Sequence, residues 1–145
     1  MAIELTKELL TTKPEELAKH IVSNTKDTSS QIRKFYNDFL ILKAKADISA
    51  TEEEFKTKIL PLIYFSKAKM AYSCGRGKIT KDLFDKISNM IDKIETKEDF
   101  SVFLLFYQSL IGYVTYYSNN QERKENNNNN VYMSQKSPIK VVIKK

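Results

Sequence analysis

A chain of 145 residues, 41% of them hydrophobic, can bury one core unaided, and its single cysteine excludes internal disulfides and multi-cysteine zinc sites. It has neither a run of about 18 apolar residues nor a secretory signal, so we expect a cytoplasmic protein with no membrane contact. The formal net charge of +6 favours an anionic partner.

The first third of the chain predicts three amphipathic helical segments, because apolar residues recur there at the helical period. The first segment carries Ile3, Leu5, Leu9 and Leu10. The second opens at Pro14, a favoured first-turn residue, with Leu17, Ile21 and Val22 facing inward. The third is capped by the hydroxyls of Thr28, Ser29 and Ser30, and it should stop near Asp47. Its apolar face is Ile32, Phe35, Tyr36, Phe39, Leu40 and Leu42.

The next two thirds predict three further helices. One starts around Thr51 and runs to about Ser73, with a kink or break at Leu60 and Pro61, and Gly75 and Gly77 end it. Thr80 caps the next helix, whose apolar residues are Leu83, Phe84, Ile87, Met90, Ile91 and Ile94. The last opens at Thr96, with Asp99 placed to accept from free backbone amides, and it frays after Tyr117. It packs Phe100, Phe103, Leu104, Tyr107, Leu110, Ile111 and Val114.

The expected fold is therefore all-α, a compact bundle of about five helices with a flexible C-terminal tail. We place the bundle at residues 1–118 and an asparagine-rich linker with a basic tail at 119–145, which supplies 6 Lys plus Arg against 2 acids. Residues 139–143 are predicted to be either part of a disordered basic arm or a short strand against a neighbouring protein.

Nothing in the sequence forms a catalytic constellation. His20 has no partner at metal-ligand spacing, and Cys74 has no obvious general base. The run from Gly75 to Lys78 lacks the glycine spacing of a phosphate loop, and the acids at 52–54 suit the first turn of a helix. We therefore expect no enzyme activity, no metal and no cofactor.

The helix before Gly75 carries a cationic zone, since residues 55–81 hold seven Lys or Arg and no acid. A projection at about 100° per residue puts apolar side chains in most directions, which predicts a central helix packed on several sides. It leaves a polar stripe of about 80° whose charges are all positive, a pattern that favours phosphate contact. The stripe consists of Lys58, Ser66, Lys69, Ser73 and Arg76.

Further cations add to this zone with less weight. Lys67 projects toward the apolar side, and Arg33, Lys34 and Lys45 lie on the outward face of the preceding helix, where Asp38 dilutes the charge. The eight Tyr and eight Phe residues include potential base-stacking platforms, although at helical spacing most should be core.

Three motifs resemble the small subunit of the type III-A CRISPR effector, the Csm complex. Residues 28–34 (TSSQIRK) are similar to that family's TTSQIRK helix start, and residues 72–76 (YSCGR) to its Tyr-x-Ala-Gly-Arg. Residues 107–113 (YQSLIGY) resemble its closing aromatic-Glu-Ala-Leu-Val-Ala-Tyr. Order and spacing agree over residues 28–118, but Cys74 replaces an alanine and Gln108 a glutamate, so any charge pair of that glutamate does not carry over.

The resemblance implies a non-catalytic, RNA-binding helical bundle that stacks in several copies along the complex. Its partners would be crRNA and target RNA, the backbone and large subunits, and further copies of itself. Phosphates would be neutralised without base reading, because guide pairing selects the sequence. The implied RNA-binding residues are Arg33, Lys34, Lys69 and Arg76 first, and then Lys45, Lys58, Lys67 and Lys78.

Two other hypotheses remain open from the sequence. In one, the chain is a helical protein–protein adaptor whose cationic stripe docks on an acidic subunit without touching RNA. In the other, a more remote one, Cys74 acts as a nucleophile in an enzyme.

Overall fold

A computed structural model describes residues 3–23, 29–48 and 51–136, with side chains as far as residue 119. These residues form a bundle without strands, in which five helices have 11 residues or more, as the all-α prediction requires. The helices are α1 Lys7–Leu10, α2 Thr12–Val22, α3 Ser29–Ile48, α4 Glu52–Glu54, α5 Leu60–Gly75, α6 Lys81–Asp92 and α7 Lys97–Lys136.

Helix α7 is the centre of the bundle. It packs against α1, α2 and α3, while α5 packs against α6 and α3. In the part of α7 whose side chains are described, eight apolar side chains are buried and they point in most directions around the axis, which is typical of a helix enclosed by neighbours. They are Phe100, Val102, Phe103, Leu104, Phe106, Tyr107, Leu110 and Val114.

An aromatic cluster joins α3 to α7. Phe39 is fully buried, and its ring centroid lies 5.1 Å from that of Phe103 and 5.8 Å from that of Tyr107, in edge-on geometry. The Tyr107 hydroxyl donates a 2.7 Å hydrogen bond to the backbone carbonyl of Ile32. Edge-on ring pairs and a satisfied buried hydroxyl both favour one fixed arrangement of these helices.

The start of α7 is fixed by the buried carboxylate of Asp99. Its oxygens accept hydrogen bonds from the backbone amides of Glu95, Thr96 and Ile3 at 3.1–3.3 Å, and its own amide donates to the Thr96 hydroxyl. Burial alone would raise the pKa of Asp99, but these amide donors stabilise the carboxylate and hold its pKa below the ordinary value. The expected role of Asp99 is confirmed, and it also ties the N-terminal segment to α7.

The predicted break near Pro61 is confirmed and has a defined form. Residues Phe55–Ile59 make a π-helical turn between α4 and α5, in which the Leu60 amide donates to the carbonyl of Phe55. Proline has no amide hydrogen to continue the α-helical ladder. Just before it, the helix therefore widens and its hydrogen bonds span five residues instead of four. The turn changes the rotation per residue, so α4 and α5 do not share one helical projection.

Helix α5 is not the central helix that the projection predicted. Its buried residues follow one stripe, Leu60, Ile63, Ser66, Met70 and Ser73, whereas Leu62, Phe65 and Tyr72 are exposed. An all-round apolar helix is usually enclosed, but here exposed apolar and aromatic side chains produced the same pattern. Leu5 and Leu40, also expected inside, are likewise exposed.

The last helix extends further than predicted. We expected fraying after Tyr117, and the helix instead reaches Lys136. No Gly or Pro occurs between Tyr113 and Lys136, and asparagine only weakly disfavours a helix, so nothing in this segment breaks the backbone ladder. The predicted cap at Thr28 and the alternatives for residues 139–143 lie outside the described residues.

Candidate functional site

A cleft of about 580 Å³ lies between α3 and α5. Its α3 wall uses residues spaced three and four apart, so they form one face of that helix. Its α5 wall continues through the turn that follows the helix. The lining residues are Gln31, Lys34, Phe35, Asp38, Phe65, Ala68, Lys69, Tyr72, Ser73, Arg76 and Lys78.

The cleft concentrates positive charge. It brings together Lys34, Lys69, Arg76 and Lys78, and Asp38 is the one acidic residue along its lining. The ion pairs found within the described residues involve other lysines, namely Lys43, Lys67 and Lys81. Four exposed cations without a carboxylate pair repel one another, and an anion in the cleft would relieve that repulsion.

The exposed face of α5 alternates rings with cations. Phe65, Lys69, Tyr72 and Arg76 are spaced four, three and four residues apart, so they share one face. The Lys69 ammonium lies 5.6 Å from the centroid of the Phe65 ring, and the Arg76 guanidinium lies 5.6 Å from that of the Tyr72 ring. Arg76 also donates a 3.2 Å hydrogen bond to the Tyr72 hydroxyl, which fixes the guanidinium along the cleft wall.

The turn after α5 brings Lys78 back to the cleft. Gly77 has a positive φ of 75°, its amide donates to the carbonyl of Cys74, and the Lys78 amide donates to that of Ser73. This pair of hydrogen bonds is the Schellman motif, which ends a helix and reverses the chain. The predicted role of Gly77 as a helix terminator is confirmed.

The other four predicted RNA-binding residues lie outside this cleft. Arg33 donates a 2.9 Å hydrogen bond to the Thr115 hydroxyl on α7. Lys67 pairs with Asp92 of α6 at 2.5 Å. Lys45 and Lys58 are exposed, near the end of α3 and within the π-helical turn.

The outward polar stripe predicted on this helix needs correction. Ser66 and Ser73 are buried, with 5% and 8% of their surface exposed, so they belong to the inner stripe of α5. The π-helical turn separates Lys58 from the residues that follow, so a constant 100° projection does not relate them. Lys69 and Arg76 do share one face, as predicted.

Phe65 and Tyr72 were missed as site residues. They expose 57% and 65% of their surface and line the cleft beside the cations. A usable signal was present, since each aromatic residue precedes a cation by four positions, the spacing of a contact along one helix face.

A second, larger cleft of about 980 Å³ has mixed charge. The Nε2 atom of His20 on α2 lies 3.0 Å from a carboxylate oxygen of Asp82 on α6 across it. Acids such as Glu4 and Glu16 alternate there with bases such as Lys13, so the cleft offers no concentrated site for an anion or a cation.

The described part of the chain offers no metal site, since no three His, Cys, Asp or Glu side chains are grouped to hold an ion. Cys74 is partly buried against the core and lies in α5. None of the helices described is both long enough and apolar enough to span a membrane.

Fold and cleft together define a small, all-helical protein with an exposed cationic surface. Comparison with protein families matches the Csm2 Type III-A family over residues 4–120. The chain belongs to this family, which makes it a small subunit of a type III-A Csm effector complex. No curated protein and no solved structure matches the chain.

Proposed function

We propose that the chain is a non-catalytic RNA-binding subunit of its CRISPR effector, contacting the backbone of guide and target RNA in support of antiviral interference. One observation carries the proposal: Lys34, Lys69, Arg76 and Lys78 converge on a cleft with a single acid in its lining. Phosphates are the common biological anion that such a surface neutralises. The family membership supplies the ribonucleoprotein setting.

The proposed partners are crRNA and target RNA, the backbone and large subunits, and further copies of this chain, in the cytoplasm. The four cleft cations form the principal contact, and Arg33, Lys45, Lys58 and Lys67 are secondary candidates outside it. In this proposal the bundle domain still ends at residue 118 and residues 119–145 form a basic segment, although helix α7 itself continues to Lys136.

The test is a charge reversal of two cleft residues, Lys69→Glu with Arg76→Glu, in the assembled complex. RNA affinity should fall similarly for unrelated sequences, because phosphate contacts carry no sequence information. Each lost contact should reduce the slope of log affinity against log salt concentration by about 0.7 to 0.9. Salt titration of RNA binding measures both effects.

The matched control is Lys86→Glu with Lys93→Glu. These lysines are also exposed and seven residues apart, and they line the second cleft rather than the first. The control changes net charge equally, so it should alter affinity much less than the cleft variant does. Equal losses in the two variants, or an unchanged salt slope in the cleft variant, would overturn the proposal.

The same variants distinguish the adaptor hypothesis. An adaptor would join the complex in the absence of RNA through the same cations, and the cleft variant would then abolish that RNA-free assembly. The RNA-binding proposal instead expects subunit assembly without RNA to be unaffected by the cleft variant.

A further inference from the structure

Two aromatic side chains on the cleft wall are more exposed than a phosphate-binding role requires. Phe65 and Tyr72 leave 57% and 65% of their surface open, although a cation already lies over each ring. Exposed aromatic rings beside a basic groove are the combination that proteins use to bind single-stranded nucleic acid. Neutralising phosphates would not require either ring.

We infer that this face of α5 binds unpaired nucleotides, whose bases stack on Phe65 and Tyr72 while their phosphates contact Lys34 and Lys78. The inference rests on the proposed RNA-binding function and specifies its ligand. It assigns the two rings a role in ligand contact that neither the charge pattern nor the family match provides.

The separation of the rings favours unpaired over paired RNA. Seven helical residues correspond to about 10.5 Å along the axis, at 1.5 Å per residue. Bases in a duplex stack about 3.4 Å apart, so an intact duplex leaves no gap between its base pairs into which either ring could insert. RNA single strands, bulges and ends can turn their bases outward, and proteins commonly stack such bases on aromatic rings.

The cations have a second role on this face. Lys69 and Arg76 hold positive charge beside the rings, where the phosphates between two stacked bases would pass. Arg76 is also hydrogen-bonded to Tyr72, so its guanidinium plane is already oriented when a base arrives. Stacking tolerates any base, so this role is compatible with sequence selection by guide pairing.

A purely structural reading of the same contacts makes a different prediction. Ring–cation pairs four residues apart stabilise a helix by about 0.2–0.5 kcal/mol. If that were their whole role, replacing the rings would change stability slightly and leave RNA binding unaltered.

The experiment measures binding of the full-length chain to three labelled RNAs of equal length by fluorescence anisotropy. They are a single strand, the same strand in a duplex, and a strand with abasic positions in its centre. We expect the single strand to bind about tenfold more tightly than either of the others, the loss expected when one or two stacked bases are removed.

Variants assign this preference to the rings. Phe65→Leu with Tyr72→Leu should lower single-strand affinity about tenfold or more and leave the salt slope unchanged, because no cation is removed. Tyr72→Phe keeps the ring and removes only the hydroxyl that accepts from Arg76, so it should lose far less single-strand affinity than the double-leucine variant does. Tyr116→Leu is the control, since Tyr116 exposes 58% of its surface but does not line the cleft.

The outcomes separate the two proposals. Failure of the chain to bind any of the three RNAs would overturn this inference, while the proposed function is decided separately by the salt titration of the assembled complex. Equal binding of all three RNAs would overturn only the inference and leave a phosphate-binding cleft. Unchanged single-strand binding by a folded double-leucine variant would do the same, and the abasic strand gives the answer if that variant does not fold.

Discussion

Arg33 and Lys34 are neighbours in the sequence but serve different surfaces of the bundle. The Arg33 guanidinium donates a 2.9 Å hydrogen bond to the Thr115 hydroxyl on α7, whereas Lys34 lines the cationic cleft beside α5. Adjacent helical residues point about 100° apart, so one cation can contact a neighbouring helix of the bundle while the next faces a surface that is free to bind a ligand. The pair is a matched test of which surface binds RNA.

Lys34→Ala should weaken RNA binding and reduce the salt slope by about 1, since it removes one phosphate contact. Arg33→Ala removes the same charge but should reduce the slope much less, because the residue lies outside the cleft and is only a secondary contact. Anisotropy titrations of both variants at several salt concentrations make the comparison. The cleft would be the wrong surface if Arg33→Ala flattened the slope and Lys34→Ala did not.

Helix positions were predictable because the local signals agree. Thr80 accepts a 3.3 Å hydrogen bond from the amide of Leu83, and Thr96 caps α7 together with Asp99, as their positions before apolar runs indicated. The break before Pro61 follows from proline chemistry alone. Caps, breakers and the helical period act within a few residues, so the sequence contains them directly.

The arrangement of the site was less predictable. Whether Phe65 faces a neighbour or solvent depends on which helix covers α5. A helical projection of the sequence looks the same in the two cases. The meeting of Lys34 with Lys69 depends on α3 packing beside α5, 35 residues further along the chain. The π-helical turn also changes the direction of Lys58 relative to α5, so Lys58 does not belong to the stripe predicted with a constant rotation of about 100° per residue.

The buried carboxylate of Asp99 gives the fold a defined pH dependence. Its pKa is lowered in the folded state by amide donors that outweigh burial, so the unfolded chain binds a proton more readily. The stabilisation is therefore complete above the ordinary carboxyl pKa of about 4 and is lost as the pH falls through the lowered folded value.

Asp99→Asn should lower the free energy of unfolding by about 2 kcal/mol at neutral pH, since the amides of Glu95, Thr96 and Ile3 lose a charged acceptor. The difference from the native chain should shrink below about pH 4, where that carboxylate is protonated on unfolding. Glu98→Gln removes an exposed acid from the same turn, and should cost no more than about 0.5 kcal/mol. Urea denaturation over a pH series tests this, and a gap that stays constant with pH would contradict it.

Gly75 and Gly77 offer a final matched pair, because they end the same helix in opposite backbone conformations. Gly77 has a φ of 75°, and a Cβ added there would meet no atom within 4 Å, so the cost of alanine is purely conformational. Gly77→Ala should therefore destabilise the fold by about 1–2 kcal/mol. Gly75 is the last residue of α5 and has equal space, so Gly75→Ala should instead stabilise by up to about 1 kcal/mol. Urea denaturation gives both values. If Gly75→Ala were destabilised and Gly77→Ala unaffected, the turn that places Lys78 in the cleft would not depend on a left-handed glycine.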